Sequence, residues 1–94
     1  MIIEHRTFRL AAGADEGQLL EADRRIQTEV APFQHGFIRR TTARGADGRW
    51  LVETLWFSDV DAMAAAEEDG PAVDSFRVCV DPASVEVVRW TTLD

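Results

Sequence analysis

Ninety-four residues suffice for one hydrophobic core and leave no room for a second, so residues 1–94 are predicted to form a single domain. The net charge of −7 argues against nucleic acid and anionic membranes as partners. The single cysteine, Cys79, excludes an intramolecular disulfide, and its apolar surroundings in the sequence predict a buried structural thiol. Charged residues interrupt the first ten positions, and no apolar run approaches the ~20 residues of a membrane span. We therefore expect a cytoplasmic protein.

The first quarter of the chain predicts a strand followed by a helix. Residues 2–10 form the strand, and Asp15 then offers an N-cap. Gln18, three residues later, completes a capping box. The helix is predicted to end at Pro32, and its inward stripe contains Asp23 among apolar residues.

A hairpin is predicted next, turning on the loop Gly45–Gly48. A symmetric turn pairs Arg40 with Glu53 and Phe37 with Trp56. Opposite charges and aromatic pairs are both favourable across neighbouring strands, so the two matches support this register. The strands are predicted over residues 37–44 and 49–57.

The second half repeats the order of helix and strand. Ser58 is a good N-cap for a second helix, and Gly70-Pro71 breaks that helix and begins another short one. A last strand is predicted over residues 85–90. The order β-α-β-β-α-β is the ferredoxin-like plan, an α+β fold with a four-stranded antiparallel sheet.

Neither face of the predicted sheet is cleanly polar. One face is expected to carry Ile3, His5, Trp50 and Trp56, and the other Ile2, Phe8, Leu51, Leu55, Val88 and Trp90. A sheet that is apolar on both faces needs a second cover. The simplest cover is the same sheet of another subunit, which predicts a homodimer that closes a dimeric α+β barrel. The alternative is a monomer with a tolerated apolar patch.

Four short motifs carry a family resemblance that covers essentially the whole chain. They are His35-Gly36-Phe37, Asp47-Gly48-Arg49-Trp50, Trp56-Phe57-Ser58 followed by Asp61-Ala62, and Asp81-Pro82-Ala83-Ser84-Val85. With these motifs the chain resembles the dimeric α+β barrel proteins related to the antibiotic biosynthesis monooxygenases. Members of that family include cofactor-free oxygenases acting on aromatic polyketides or quinols, and haem-degrading enzymes. The resemblance therefore implies monooxygenase-like chemistry.

The sequence departs from the family at its usual site residues. The cofactor-free oxygenases tend to use an Asn and a Trp, often with a Tyr, and this chain contains neither Asn nor Tyr. Only Trp56 can be carried over. The haem-degrading relatives ligate iron through a His in the second half of the chain, and no His follows His35 here. We expect no cofactor and no metal.

Four residues are predicted to line a cleft between the helices and the sheet: His5, Asp23, Gln27 and Trp56. His5 would act as a base oriented by Asp23, giving a substrate anion that can react directly with dioxygen. Trp56 and Phe37 would form a flat apolar wall for an aromatic ligand. Each residue also has a structural interpretation: a satisfied strand His, a carboxylate at the edge of its stripe, and core aromatics.

A sixth candidate, Arg39, is expected to share the face of Thr54 and to steady an anionic substrate, unless it is a solvated surface residue. The main hypothesis is a cofactor-independent monooxygenase-like enzyme acting on a small aromatic or polyketide-derived molecule. Whether the protein turns over a substrate at all stays open. The alternatives are a non-catalytic small-molecule binding protein, and a cyclase or isomerase using the same His5–Asp23 pair.

Overall fold

The computed structural model describes residues 1–93 and has the predicted ferredoxin-like fold. Its four strands form one antiparallel sheet, in which the second strand lies at one edge and is followed by the third, the first and the fourth. Three helices connect them, because the break at Gly70-Pro71 divides the second helical stretch in two. The elements are β1 (Ile2–Phe8), α1 (Glu16–Arg25), β2 (Phe37–Arg44), β3 (Trp50–Trp56), α2 (Asp59–Ala66), α3 (Pro71–Arg77) and β4 (Glu86–Thr91).

Helix α1 begins with the predicted capping box and ends differently from the prediction. Asp15 accepts a hydrogen bond from the Gln18 backbone N–H (2.8 Å), and the Gln18 side chain accepts from the Asp15 N–H (3.0 Å). After Arg25 the helix widens into a π-helical segment, Ile26–Val30, and a 3₁₀ turn follows it at residues 31–33. π-helical turns occur mostly as single turns within α-helices and frequently at functional sites.

The helices cover one face of the sheet, which we call the inner face. One core cluster joins Phe8, Trp50 and Val52 of this face to Leu19 of α1 and to Cys79. The prediction of a buried thiol is confirmed, since Cys79 is 4% exposed. A second cluster contains Ile2, Trp56 and Ala62.

The predicted hairpin register is half right. Phe37 pairs with Trp56 as expected, but a β-bulge between Phe37 and Arg39 shifts the rest of β2 by one residue. Arg40 therefore faces Thr54 instead of Glu53. The shift turns Arg40 to the inner face, where it reaches α1.

The predicted orientation of β1 is wrong. Ile2, Glu4 and Phe8 are its buried residues, and their cross-strand partners are Trp56, Thr54 and Trp50. Residues that face each other across strands lie on the same side of a sheet, so Ile3 and His5 belong to the opposite, open face. The pattern of alternating residues gave the wrong orientation because β1 has apolar residues at both odd and even positions. Its inner face also carries the charges of Glu4 and Arg6.

The open face remains rich in apolar side chains, and its membership is revised. It carries Ile3, Leu51, Leu55, Val88 and Trp90, of which Val88 is 47% and Trp90 49% exposed. All six residues of β4 are exposed. In residues 1–93 no helix combines the length and the apolar character that crossing a bilayer requires.

Candidate functional site

A cleft of about 440 Å³ lies between the inner face of the sheet and the helices. Clefts of this volume are typical of small-molecule sites. The π-helical segment contributes Ile26 and Val30 to its wall, while β1 and β3 form its floor. The lining residues are Glu4, Arg6, Phe8, Ile26, Val30, Gln34, Arg40, Val52, Thr54, Trp56, Ala62, Ala65, Ala66, Glu68, Val73, Phe76, Arg77, Val80, Pro82 and Val85.

Trp56 is the aromatic side chain of the floor. The ring of Phe37 packs edge-on against it, with centroids 5.9 Å apart, and the side chain is 4% exposed. Its indole N–H is buried and has no hydrogen-bond partner within residues 1–93. Leaving a buried donor unpaired costs about 1–3 kcal/mol, so such a group calls for an explanation.

The inner face also holds two ion pairs whose carboxylates are buried. The Arg89 Nε donates to Glu4 Oε2 at 2.9 Å, and the Arg40 Nη1 donates to Asp23 Oδ1 at 2.5 Å. Thr42 donates a further hydrogen bond to the same Asp23 oxygen at 2.9 Å. These contacts compensate carboxylates that would otherwise be buried without a partner.

The predicted pair of His5 and Asp23 does not form. Asp23 lies in the inward stripe of α1 and is buried, as predicted, but its partner is Arg40. His5 lies on the open face, where its Nε2 is 2.6 Å from Glu53 and its ring meets Trp90 at 4.6 Å. The sheet separates the two, because β1 is turned by one residue relative to the prediction.

The three remaining candidates are distributed differently. Phe37 contacts Trp56, so the predicted aromatic pair is present. Arg39 faces Leu55 on the open face and is exposed, so its predicted position beside Thr54 is wrong. Gln27 is half-buried in the π-helical segment and is not among the residues that line the cleft.

A second constellation, which the sequence analysis missed, joins His35 to Asp61. The His35 Nδ1 and Asp61 Oδ1 are 2.6 Å apart, and Ser58 Oγ donates to Asp61 Oδ2 at 2.8 Å. Asp61 is 8% exposed, whereas the His35 side chain is 93% exposed, so the imidazole ring is open to solvent. The signal that could have located the pair is the Ser-x-x-Asp spacing at the start of α2, which fixes that carboxylate locally.

This pair borders a smaller pocket of about 200 Å³ that adjoins the cleft. The two share three lining residues, Gln34, Ala65 and Glu68. Next to His35, Gly36 has a φ of +76°, and a Cβ placed there would be 2.1 Å from Asp61 Oδ2. The backbone therefore approaches the carboxylate as closely as only glycine allows.

The stability of the fold should depend on pH through Asp61. The hydrogen bonds from His35 and then Ser58 hold the pKa of Asp61 below its usual 3.8, although partial burial opposes them. A carboxyl group with a lowered folded-state pKa stabilises the protein above its usual pKa, and that stabilisation is lost as the pH falls through the folded value. We expect His35→Ala to show a smaller loss of unfolding free energy below pH 3.8 than the parent chain. Urea unfolding above and below that pH measures the loss of unfolding free energy in each protein. Equal losses in His35→Ala and the parent chain would contradict the contribution of His35.

Comparison of the sequence with protein-family models and with curated proteins finds no match. Solved structures do match. SnoaB, a cofactor-independent oxygenase from Streptomyces nogalater, superposes with a TM-score of 0.78 at 16% identity, over 99% of this chain and 93% of that one. A Nitrosomonas europaea protein named "putative antibiotic biosynthesis monooxygenase" has a TM-score of 0.72 at 19% identity, over the full length of both.

The chain has the fold of the antibiotic biosynthesis monooxygenases. The haem-degrader MhuD from Mycobacterium tuberculosis is a third such likeness, with a TM-score of 0.62 at 22% identity, over 99% of this chain and 96% of that one. The predicted resemblance is thus confirmed at the level of the fold, which is as far as identities this low extend.

The haem chemistry of MhuD, which holds two hemes in its active site, does not fit this cleft. Haem iron is usually held by His, Cys, Met or Tyr, and none of the residues lining the cleft within 1–93 is of these types. His5 lies on the open face and His35 borders the smaller pocket. In the same residues no three metal-ligating side chains are grouped as a metal site would require.

Proposed function

We propose that this chain is a cofactor-independent monooxygenase-like enzyme acting on a small aromatic or polyketide-derived molecule. The observation that carries the proposal is Trp56, a buried aromatic at the floor of a 440 Å³ cleft, whose N–H has no partner in the part of the chain that the structure describes. A flat ligand packed on this floor would contact the indole, and a shift of the ring that uncovers its buried N–H would let an oxygen atom of the ligand accept from it. The fold shared with SnoaB, a cofactor-independent oxygenase, agrees with this assignment.

The chemistry requires a substrate that supplies its own electrons. Loss of a phenolic or enolic proton gives an electron-rich anion that reacts directly with dioxygen. A ring CH₂ then becomes C=O, and the second oxygen atom leaves as water, so no external reductant is needed. The cleft would hold the anion away from water only after the proton has been removed, during its reaction with dioxygen.

His35 is the proton acceptor in this proposal, in place of His5. An ionised Asp61 can only accept, so the His35 Nδ1 carries the proton of their hydrogen bond and Nε2 keeps a free lone pair. The substrate O–H bond breaks, an N–H bond forms at Nε2, and the Asp61 carboxylate stabilises the resulting imidazolium. His35 lines the smaller pocket, which shares Gln34, Ala65 and Glu68 with the cleft, so a substrate would have to reach it across this common wall.

Dioxygen consumption with a panel of anthrones, naphthols and hydroquinones tests the proposal. We expect catalytic consumption by the parent chain and a loss of about tenfold in rate for Trp56→Phe, which keeps the ring and removes the N–H donor. Trp90→Phe, the same change on the open face, should leave the rate unchanged, provided that light scattering gives the variant the mass of the parent protein. Saturable binding without oxygen consumption across the panel would refute the oxygenase assignment.

A non-catalytic binding protein is the second candidate, favoured by a specific observation. The buried carboxylates Glu4 and Asp23 are both engaged by arginines, so neither is a free base. Binding without turnover identifies this function. A cyclase or isomerase is distinguished by a product that has gained no oxygen.

The open face is the proposed interface of a homodimer. Leu55, Val88 and Trp90 lie on it, and β4 is exposed along its whole length, as an uncovered sheet face would be before assembly. A second copy related by a two-fold axis would pack sheet against sheet and close the barrel. Light scattering decides this directly, because a mass equal to the 10.5 kDa of one chain would exclude the dimer. A cytoplasmic location stays a prediction of the sequence.

A further inference from the structure

We propose that the cleft selects flat aromatic ligands carrying an oxyanion, and that Arg6 is the residue that binds this negative charge. The inference rests on the proposed small-molecule cleft and names the class of ligand it takes.

Arg6 lies at the centre of the cleft floor. It belongs to β1, one of the two central strands, and its cross-strand partners are Val52 on β3 and Val87 on β4. The two residues directly opposite the Arg6 guanidinium in the sheet are therefore apolar. Its side chain is 36% exposed and lines the cleft.

The charges of the inner face leave Arg6 without a full partner. Arg89 engages Glu4 at 2.9 Å and Arg40 engages Asp23 at 2.5 Å. The nearest carboxylate oxygen to Arg6 within residues 1–93 belongs to Glu4 and is 3.9 Å away, beyond hydrogen-bond distance. Three arginines thus face two carboxylates, in a chain whose net charge is −7.

The other charged residues of the cleft determine how a ligand would be oriented. Arg77 donates to the Glu68 backbone carbonyl at 3.0 Å and lies 3.7 Å from Asp69, so its charge is used at the rim. Glu68 adds a negative charge that repels anions there. An anionic ligand would therefore direct its charged end to the floor and its apolar end outward.

An oxyanion suits the donor geometry of arginine. A guanidinium presents paired N–H donors that match both oxygens of a carboxylate, and hydrogen bonds between charged groups are roughly twice as strong as neutral ones. Arg6 is also removable, because Glu4 keeps Arg89 when Arg6 is replaced. Arg6→Gln should therefore fold.

The test compares two probes of the same shape, 2-naphthoate and the neutral 2-naphthamide. Binding to the parent chain, followed by calorimetry, should favour the naphthoate by about tenfold or more, as expected for a charge-assisted hydrogen bond. Arg6→Gln should abolish this preference and leave the affinity for naphthamide unchanged. Arg24→Gln, which makes the same charge change on an exposed part of α1, should keep the preference.

Each remaining outcome has a distinct meaning. Equal binding of both probes to the parent chain, or a preference that survives in Arg6→Gln, overturns the role of Arg6 while the cleft proposal stands. Binding of neither probe by a folded parent chain refutes the small-molecule cleft itself, and the inference with it.

Discussion

Gly36→Ala is expected to destabilise the protein by about 3 kcal/mol, through backbone strain of about 1–2 kcal/mol and the disruption of a buried carboxylate. The φ of +76° disfavours any L side chain, and the new Cβ would lie 2.1 Å from Asp61 Oδ2. Asp61 cannot withdraw without losing its hydrogen bonds to His35 and Ser58. In a domain of this size the unfolding midpoint should fall by more than about 10 °C in a thermal scan.

Gly13→Ala is the matched control for this change. Gly13 has a similar φ of +84°, but no atom that could obstruct its Cβ lies within 4 Å in residues 1–93. Gly13→Ala should therefore lower the free energy of unfolding only through backbone strain, by about 1–2 kcal/mol. Equal losses in the two variants would show that the close approach to Asp61 adds nothing.

Arg40→Met is expected to cost about 3–5 kcal/mol, because it leaves the buried Asp23 carboxylate without its counter-charge. The side chains of Arg40 and Asp23 are 7% and 11% exposed, and within residues 1–93 the Thr42 hydroxyl alone would remain as a hydrogen-bond partner of the Asp23 side chain. Urea unfolding at neutral pH measures the loss.

The double variant Asp23→Leu/Arg40→Met separates a broken pair from lost packing. Replacing both partners of a buried pair with apolar groups is often neutral, so the double variant should recover most of the lost stability. Arg24→Met, which breaks the exposed pair of Arg24 and Glu21, should cost less than about 1 kcal/mol. If Arg40→Met lost as little stability as Arg24→Met, water would screen the pair of Arg40 and Asp23 as well.

Local signals account for the parts of the fold that the sequence predicted. The capping box of Asp15 and Gln18, the Ser58 cap and the Gly70-Pro71 break each act within a few residues of chain. The face of β1 could not be predicted in this way. Its inner face includes Glu4, whose burial is compensated by Arg89, and no local pattern records a partner 85 residues away.

The site was predicted less well for the same reason. The position of Asp23 in the inward stripe follows from helical periodicity, but its partner depends on a bulge that the unbroken strand-like run of β2 does not mark. His35 and Asp61 are 26 residues apart and meet only once the turn before β2 packs on α2. Trp56 was found because a register match and a family motif both pointed to it.

The buried thiol of Cys79 can report on local opening of the hydrophobic core. Cys79 packs with Phe8, Leu19 and Trp50, donates to the Ser75 carbonyl at 3.5 Å, and has a pKa that burial raises. A thiol-specific reagent can therefore modify it only in molecules whose core has opened. Because the chain has no other cysteine, the rate of that single reaction would follow how often the core opens, without an added label. The same reaction, repeated with a ligand in the cleft, would show whether an occupied cleft holds the core closed.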